Sequence, residues 1–169
     1  NAIQLNDTHP TVSIPELVRL LMNEGKSFDD ALDIARRTFS YTNHTLMSEA
    51  LETWDCELFR SVIPNILDII FRINDALHRE LTSRGLPQEK INSMYIVADG
   101  RIHMARLATF VSSYVNGVAQ IHSGLLRTEV LKDWYDVYPE RFQNKTNGVT
   151  QRRFLGLCNP ALSTLIGSR

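Results

Sequence analysis

The stretch Ile3-Gln4-Leu5-Asn6-Asp7-Thr8-His9-Pro10 decides the fold, because a short apolar run ends in a polar turn. This pattern predicts a strand over residues 3–6 that leads directly into a loop. The same form recurs in 115–123 (Val-Asn-Gly-Val-Ala-Gln-Ile-His-Ser) and in 142–148 (Phe-Gln-Asn-Lys-Thr-Asn-Gly). Loops that follow strands carry the ligand-binding groups of α/β folds, so the three polar ends are candidates for one site.

The length and the charge of the chain limit the classes of function. With 169 residues, of which 43% are hydrophobic, the chain has the size and composition of about one globular domain. A net charge of −1, from 18 basic and 19 acidic residues, argues against a nucleic-acid-binding surface and against a polybasic membrane patch. A neutral, polyhydroxylated ligand fits this balance. No apolar stretch is long enough to span a membrane, and no signal peptide opens the sequence.

The cysteines indicate a reducing compartment. Cys56 and Cys158 form neither a Cys-x-x-Cys motif nor a multi-cysteine framework, so we expect two reduced thiols in a cytoplasmic protein.

Helix signals occupy most of the chain. Ser13-Ile14-Pro15-Glu16 matches a capping box and predicts a helix to about Asn23, and a second helix starts at Ser27. Apolar residues then recur at spacings of four and three, which predicts a long helix between Cys56 and Arg84. Pro64 should kink this helix or mark its true start. The members of this apolar stripe are Phe59, Ile63, Ile66, Ile70, Ile73, Leu77 and Leu81.

The remaining pattern alternates strand and helix. We expect a hairpin from Met94–Val97 to Arg101–His103 around Asp99-Gly100, followed by a helix over 104–113. We further expect a strand or strand-like loop over 117–121 and a helix over 123–135. The alternation favours a helix-rich α/β fold with a largely parallel sheet.

Asp7 and His9 are two residues apart, so in an extended strand their side chains would point to the same side. A carboxylate beside an imidazole can orient the ring or shift its pKa, which suits acid–base chemistry. The alternative is a turn in which Asp7 and Thr8 cap the following helix. Composition alone favours this second interpretation.

Two further residues are candidates for binding a hydroxyl-rich ligand. His122 is expected at a junction between a strand and a helix, where backbone N–H groups point into the loop. Asn147 offers both a donor and an acceptor, although Asn147-Gly148 is first of all a turn signature. Lys145 could attract a phosphate. The stretch Asn43-His44-Thr45 lies in a polar break and either joins the same loop surface or caps the next helix.

Other kinds of site have no support in the sequence. The five histidines show no short metal-ligand spacing, and neither a Gly-x-Gly-x-x-Gly run nor a P-loop occurs. Ser123 is not a nucleophile candidate, since no Gly-x-Ser-x-Gly elbow surrounds it.

Taken together, the motifs and the segments between them resemble the α-glucan phosphorylases, the family of glycogen, starch and maltodextrin phosphorylase. The similarity covers the whole chain but only an internal stretch of that longer enzyme. Besides the three opening motifs, it runs through Pro15-Glu16-Leu17, Tyr41-Thr42-Asn43-His44-Thr45-Leu46, Glu49-Ala50-Leu51-Glu52 and Cys158-Asn159-Pro160.

The resemblance implies a two-domain, glycosyltransferase-type fold with Rossmann-like domains that face each other across a cleft. It implies cleavage of α-1,4-glucan by phosphate to give glucose 1-phosphate with retention. Pyridoxal 5′-phosphate is the implied cofactor of the whole enzyme, and its phosphate exchanges a proton with the substrate phosphate. By position, His122 is implied to bind the glucose 6-hydroxyl as the catalytic-site histidine, together with Asn147. Asp7 and His9 are implied to line the glucan side of the cleft.

The sequence also departs from the family. The motif Glu-Ala-Ser-Gly-Thr-Ser-Asn-Met-Lys, which holds the cofactor through its lysine, is missing, as is the glycine-rich phosphate loop. Gln151 stands where the family usually has proline. We therefore expect residues 1–169 to form one unit, the later part of the N-terminal domain without the C-terminal cofactor domain. Such a chain should bind no cofactor and should be inactive alone.

Two other functions stay open. The chain could be a carbohydrate-binding or partner-binding module that kept the fold and lost the chemistry. Alternatively, the apolar stripe of 59–81 could pair two chains as a coiled-coil seam, although a core face is the better prediction because the flanking charge pattern is weak.

Overall fold

The computed structural model describes residues 2–47 and 51–168. Helical and extended segments alternate along the chain, and three further single turns of helix lie at 126–130, 139–141 and 152–157. The elements are β1 (Ile3–Asn6), α1 (Ser13–Asn23), α2 (Phe28–Thr38), β2 (Phe39–Thr42), β3 (Thr53–Asp55), α3 (Cys56–Val62), α4 (Pro64–Ser83), α5 (Gln88–Met94), β4 (Val97–Ala98), β5 (Arg101–His103), α6 (Met104–Val111), β6 (Val115–Gly117), α7 (Gln120–Leu125), α8 (Lys132–Val137), β7 (Phe142–Asn144) and α9 (Pro160–Gly167).

Four of the strands form a parallel sheet in the order β1-β2-β6-β7. Asn6 pairs with Thr42, Thr42 with Asn116, and Gly117 with Asn144, so all four strands end at the same edge. This confirms the predicted helix-rich α/β fold with a parallel sheet. The inward-facing residues of β1 and β2 are fully buried, because helices cover the sheet as crossover connections require.

The predicted hairpin is present in a second, antiparallel sheet with the order β3-β5-β4. Asp99 and Gly100 have φ values of 52° and 71°, which suits the left-handed turn that joins two twisted strands. The first strand is shorter than predicted, since Met94 still belongs to α5.

The N-terminus of α2 follows the prediction and that of α1 does not. Ser27 caps α2 by accepting a hydrogen bond from Asp30 N at 3.1 Å. The capping box predicted at Ser13 is wrong, because Ser13 is already helical and its Oγ donates to Pro10 O at 2.6 Å. The residues before Ser13 already form hydrogen-bonded turns, in which Thr11 N donates to Thr8 O at 3.0 Å. The helix therefore starts without a side-chain cap.

The long helix begins at Pro64, which occupies the first turn of α4 and so marks its true start. Gly85 follows the C-terminal end with a φ of 75°, a conformation that glycine adopts without strain. The apolar stripe packs into the chain's own core: Phe59, Ile66, Ile70, Ile73, Leu77 and Leu81 are buried. The core alternative is therefore correct, and this face is not free to act as a coiled-coil seam.

The expectations for residues 117–135 need correction. The strand ends at Gly117, and the residues predicted as extended already form α7 from Gln120. The single helix predicted over 123–135 is interrupted by the wide turn 126–130 and by Leu131, whose φ and ψ of −122° and 33° break the hydrogen-bond ladder. His122 thus lies inside a helix and not before one.

Candidate functional site

The carboxyl edge of the parallel sheet gathers the polar motifs of the sequence. Main-chain hydrogen bonds continue past the strands, since Asp7 N donates to Thr42 O and Asn43 N to Asn116 O, both at 2.9 Å. Lys145 N donates to Gly117 O at 3.1 Å. These bonds hold the four loops that leave the edge at fixed positions relative to one another. Such an edge is where open α/β sheets bind ligands.

A row of side-chain hydrogen bonds crosses the same edge. Gln4 Nε2 donates to Thr42 Oγ1 at 2.7 Å, and Thr42 Oγ1 donates to Asn116 Oδ1 at 2.9 Å. Asn116 Nδ2 in turn donates to Gly117 O at 3.1 Å. Asn116 is buried, and its side-chain amide bonds to Thr42 and to Gly117, so it stabilises the edge of the sheet and is not available to a ligand.

His44 follows the end of β2 and is exposed to solvent. The sequence did not predict it as a main residue of the site. Its Nε2 lies 2.7 Å from Asn6 Oδ1, at the end of the neighbouring strand. The signal that locates His44 is the apolar–polar alternation Phe39-Ser40-Tyr41-Thr42, which forms β2. This short alternation was missed because a helical pattern precedes it directly. With the strand assigned, His44 belongs to the candidate site.

Asp7 and His9 do not form the side-by-side pair expected of an extended chain. Asp7 leaves the strand with a φ of 62°, and its Oδ1 accepts a hydrogen bond from Thr8 N at 2.8 Å. His9 is 81% exposed, and its Nδ1 lies 3.9 Å from Glu52 Oε2. The left-handed backbone at Asp7, which aspartate tolerates better than most residues, separates the two side chains.

Glu52 is a second residue that the sequence did not single out. Its two carboxylate oxygens accept hydrogen bonds from Thr8 Oγ1 at 2.7 Å and from Trp54 Nε1 at 2.8 Å. It therefore fixes the loop that carries Asp7 and His9. An apolar groove of about 230 Å³ lies beside these residues and is lined by His9, Val12, Glu52, Trp54, Leu58, Phe59, Val62, Ile63 and Met104.

His122 faces inward from α7. Its Nδ1 accepts a hydrogen bond from Val118 N at 3.3 Å, and its Nε2 is buried with no partner among the residues that the structure describes. Burial lowers the pKa of His122, the nearby His44 lowers it further, and Asp7 opposes the shift. The neutral form of the His122 ring is therefore favoured.

Asn147 lies on the loop after β7, which is joined to the loop after β6. Its main-chain N–H donates to Val118 O at 2.9 Å, and its side chain is exposed. Ser123 Oγ donates to Asn144 Oδ1 at 2.7 Å, which binds α7 to the end of β7. This bond and the burial of Ser123 agree with the expectation that it is no nucleophile.

The loops at this edge therefore carry Asp7, His44, His122 and Asn147, whereas His9 turns towards Glu52. The groups on these loops are imidazoles, amides and hydroxyls together with the exposed amine of Lys145 and the carboxylate of Asp7, so donors and acceptors are present without a large net charge. Such a surface suits a neutral ligand rich in hydroxyl groups. Within residues 2–47 and 51–168, no cluster of three or more histidine, cysteine or acidic side chains could hold a metal ion.

Another cavity, of about 570 Å³, lies between α5, α6 and α8. Its charged lining is mostly engaged within the chain. Lys132 pairs with Asp136 at 2.9 Å, Asp133 accepts from Ser93 Oγ at 2.8 Å, and Arg106 Nη1 donates to Tyr95 O at 2.7 Å. The carboxyl edge of the sheet is the better candidate, since its polar groups are exposed.

Comparison with known proteins identifies the class to which this fold and edge belong. The family described as carbohydrate phosphorylase matches residues 1–169 in full. The chain therefore belongs to the carbohydrate phosphorylase family.

Glycogen phosphorylases are among its curated relatives. The chain is 47% identical to the brain form of Bos taurus over 174 residues and 46% identical to the muscle form of Homo sapiens over 173 residues. In both comparisons 99% of this chain is covered, against 20% of the relative. The chain thus spans about one fifth of the length of these relatives. No helix in the described part of the chain has both the length and the apolarity needed to cross a membrane.

Proposed function

We propose that this chain is the later part of the N-terminal domain of a retaining α-glucan phosphorylase and provides part of its glucan site. The full enzyme would convert α-1,4-glucan and phosphate to glucose 1-phosphate and a shortened glucan. The observation that carries the proposal is the set of neutral polar groups at the carboxyl edge, in a chain that matches the phosphorylase family throughout.

The predicted residues keep their place in this proposal, and His44 joins them. The Asn147 amide and the His44 imidazole are exposed and can each exchange a hydrogen bond with a sugar hydroxyl, such as the glucose 6-hydroxyl. Asp7 and His9 would line the glucan side. His122 would act from inside the protein, because both of its ring nitrogens are turned away from solvent.

Pyridoxal phosphate, which the family implies for the whole enzyme, does not fit the lysines of this chain. Lys26 and Lys145 are exposed, whereas a Schiff-base lysine needs a shielded amine. Lys90 and Lys132 both form ion pairs with Asp136, at 2.8 and 2.9 Å. The residues described here would therefore bind and orient the sugar, and the cofactor would be anchored by another part of the enzyme.

A chimera tests the proposal without assuming where the natural protein ends. In this chimera, residues 1–169 replace the matching stretch of the bovine brain-form enzyme, and glucose 1-phosphate release from maltoheptaose is measured. We expect Asn147→Ala to lower kcat/KM by about tenfold, since one hydrogen bond to the sugar is lost. The exposed Asn92 of α5 serves as a matched control, and Asn92→Ala should not change the rate. Equal rates for both variants would refute the proposal.

A non-catalytic carbohydrate-binding module is a second candidate, favoured by the absence of a shielded, unpaired lysine among the described residues. The two functions differ in what the 169-residue chain does alone. Supplied with maltoheptaose, phosphate and pyridoxal phosphate, it should release no glucose 1-phosphate in either case. Full glucan affinity in the isolated chain would favour the binding module, whereas turnover would contradict both.

A further inference from the structure

The cavity between α5, α6 and α8 contains two basic side chains that form no ion pair with any described residue. His103 ends β5, Arg106 follows in the first turn of α6, and both are half-buried in the cavity wall. Burial lowers the pKa of His103, and the charges of Arg106 and Arg101 lower it further, outweighing Asp99. This part of the wall therefore has a positive potential, which favours an anion.

The protein uses only one nitrogen of the Arg106 guanidinium. Nη1 donates to Tyr95 O at 2.7 Å, whereas Nε and Nη2 have no acceptor among residues 2–47 and 51–168. These two nitrogens form the edge of the guanidinium that can donate side by side to two oxygens of one anion. Burial lowers the pKa of Arg106 more than Asp133 and Asp99 raise it, as expected of a guanidinium without a close carboxylate. The bond to Tyr95 thus holds a free, two-point donor at the cavity.

Three carboxylates line the same cavity and do not neutralise the guanidinium. Glu52 accepts two hydrogen bonds from other side chains, and Asp133 accepts from Ser93 Oγ and lies 3.6 Å from Lys90. Glu129 is exposed and forms no ion pair with a described residue. Ionised carboxylates only accept hydrogen bonds, so they suit the hydroxyl groups of a ligand. A complementary ligand has an anionic group at one end and hydroxyls at the other.

We propose that this cavity binds a small sugar phosphate, with its phosphate on the Nε–Nη2 edge of Arg106 and on His103. The hydroxyls of the sugar would face Glu129. A cavity of about 570 Å³ falls within the range of roughly 300–1,000 Å³ that small-molecule sites occupy. The first turn of α6 has no side-chain cap, so the helix dipole adds to the attraction. The site shares no residue with the carboxyl edge of the parallel sheet and does not depend on the function proposed there.

Calorimetric titration of the 169-residue chain with glucose 1-phosphate tests the proposal. We expect half-saturation below about 1 mM, and Arg106→Gln should weaken binding by about tenfold or more, because charge-assisted hydrogen bonds are lost. Arg153 is exposed and lies outside the cavity lining, so Arg153→Gln is the matched control and should bind like wild type. No saturation by about 10 mM, or equal affinity in the two variants, would overturn the proposal.

A second variant keeps the test decisive if Arg106→Gln fails to fold. Lysine at residue 106 keeps the charge and can still donate to Tyr95 O, but it lacks the two-point edge. Arg106→Lys should therefore weaken binding by about tenfold while circular dichroism shows a wild-type fold. Wild-type affinity in a folded Arg106→Lys variant would contradict the assigned contact. In the wild-type chain, the NMR signals of the His103 imidazole should shift as the ligand is added.

Two comparisons identify the ligand and its place. Inorganic phosphate should bind at least about tenfold more weakly than glucose 1-phosphate, because it makes no hydroxyl contacts. Equal affinity would show that the cavity takes the free anion and would overturn the sugar part of the proposal. Loss of binding in His44→Ala with unchanged binding in Arg106→Gln would place glucose 1-phosphate at the carboxyl edge. That result would overturn this proposal and leave the proposed function intact.

Discussion

His44 Nε2 lies 2.7 Å from Asn6 Oδ1, so side chains join β1 and β2 beyond the last pair of their main-chain ladder. This contact leaves the exposed imidazole ring in a fixed orientation at the edge of the sheet. An oriented imidazole binds a hydroxyl with less loss of side-chain entropy than a freely rotating one. His44 is therefore the histidine of this edge that we expect to contact the sugar.

The substitution His44→Ala tests that expectation in the chimera. We expect kcat/KM for maltoheptaose to fall by about tenfold, the equivalent of one hydrogen bond. His78 provides a control, because it lies on α4 with its Nδ1 2.9 Å from Tyr95 Oη and is not at a strand end of the parallel sheet, so His78→Asn should leave kcat/KM unchanged. If the two variants have the same kcat/KM, His44 has no contact with the sugar.

A titration of His122 tests whether the site residues are as close as described. Its pKa is expected below the usual value of about 6.5, because burial and His44 disfavour the charged ring. His44→Ala should raise this pKa, and Asp7→Asn should lower it, because Asp7 favours the charged form. The imidazole signals followed by NMR against pH give both shifts. Their absence would mean that the three side chains are farther apart.

The pKa of His122 also affects folding stability. The folded pKa lies below the unfolded one, so the unfolded chain binds more protons in the range between them. The contribution of His122 is therefore fully present above about pH 6.5 and is lost as the pH falls through that range. His122→Asn should remove this part of the pH dependence, measured by urea unfolding between pH 5 and pH 7.

Glu80 of α4 contacts two arginines and a tyrosine, and these contacts should make folding stability depend on pH in the acid range. It pairs with Arg36 at 2.7 Å and Arg84 at 3.3 Å, and accepts from Tyr138 Oη at 2.8 Å. Burial alone would raise the pKa of Glu80, but these partners outweigh it and lower the pKa. The stabilising effect is present above about pH 4.3 and is lost as the pH falls through the folded pKa.

Glu80→Gln should accordingly lower the free energy of unfolding by about 1–2 kcal/mol at pH 7, because charge-assisted hydrogen bonds are lost. The difference from wild type should shrink towards pH 3, as the Glu80 carboxylate takes up protons. Urea unfolding at both pH values measures it. Glu57, which pairs with Arg60 at an exposed site, is the control, and Glu57→Gln should change neither value. A pH-independent effect of Glu80→Gln would contradict the account.

The role of α4 in the core predicts a large difference between two leucines. Leu77 is 0% exposed and Leu20 is 47% exposed. Leu77→Ala should cost about 2–5 kcal/mol of unfolding free energy, whereas Leu20→Ala should cost much less. Thermal and urea unfolding give both values. A small effect at Leu77, or one that depends on protein concentration, would indicate that α4 packs against another copy.

The sequence was a good guide where one strong local signal acts. Ser27 and the Asp99-Gly100 turn predicted a helix start and a hairpin that the structure contains, and Pro64 marks the start of α4. Local signals failed where tertiary contacts decide. Ser13 matches a capping box, but the turns before it already lead into the helix. Ser13 is therefore the first helical residue and does not act as a cap.

The candidate site could be found only in part for the same reason. The three polar motifs lie at one edge, as the strand-to-loop pattern predicted. Strand β2 was not predicted, because it follows the helical pattern of α2 without a break, and His44 was therefore not assigned to this edge. The orientation of His122 depends on Gly117, whose missing side chain makes room for the imidazole across the chain. No pattern in residues 115–123 alone reveals that contact, because it depends on where α7 starts.

The most direct test of the central claim is phosphorolysis of maltoheptaose by the chimera with His44→Ala and Asn147→Ala combined. If the carboxyl edge binds the sugar, kcat/KM should fall by more than the roughly tenfold loss of either single variant, and the two losses multiply only where the two residues contact different hydroxyls. Both residues are exposed, so the melting temperature should stay at the chimera's own value. An unchanged kcat/KM in a folded double variant would contradict the assignment of this edge as the sugar-binding surface.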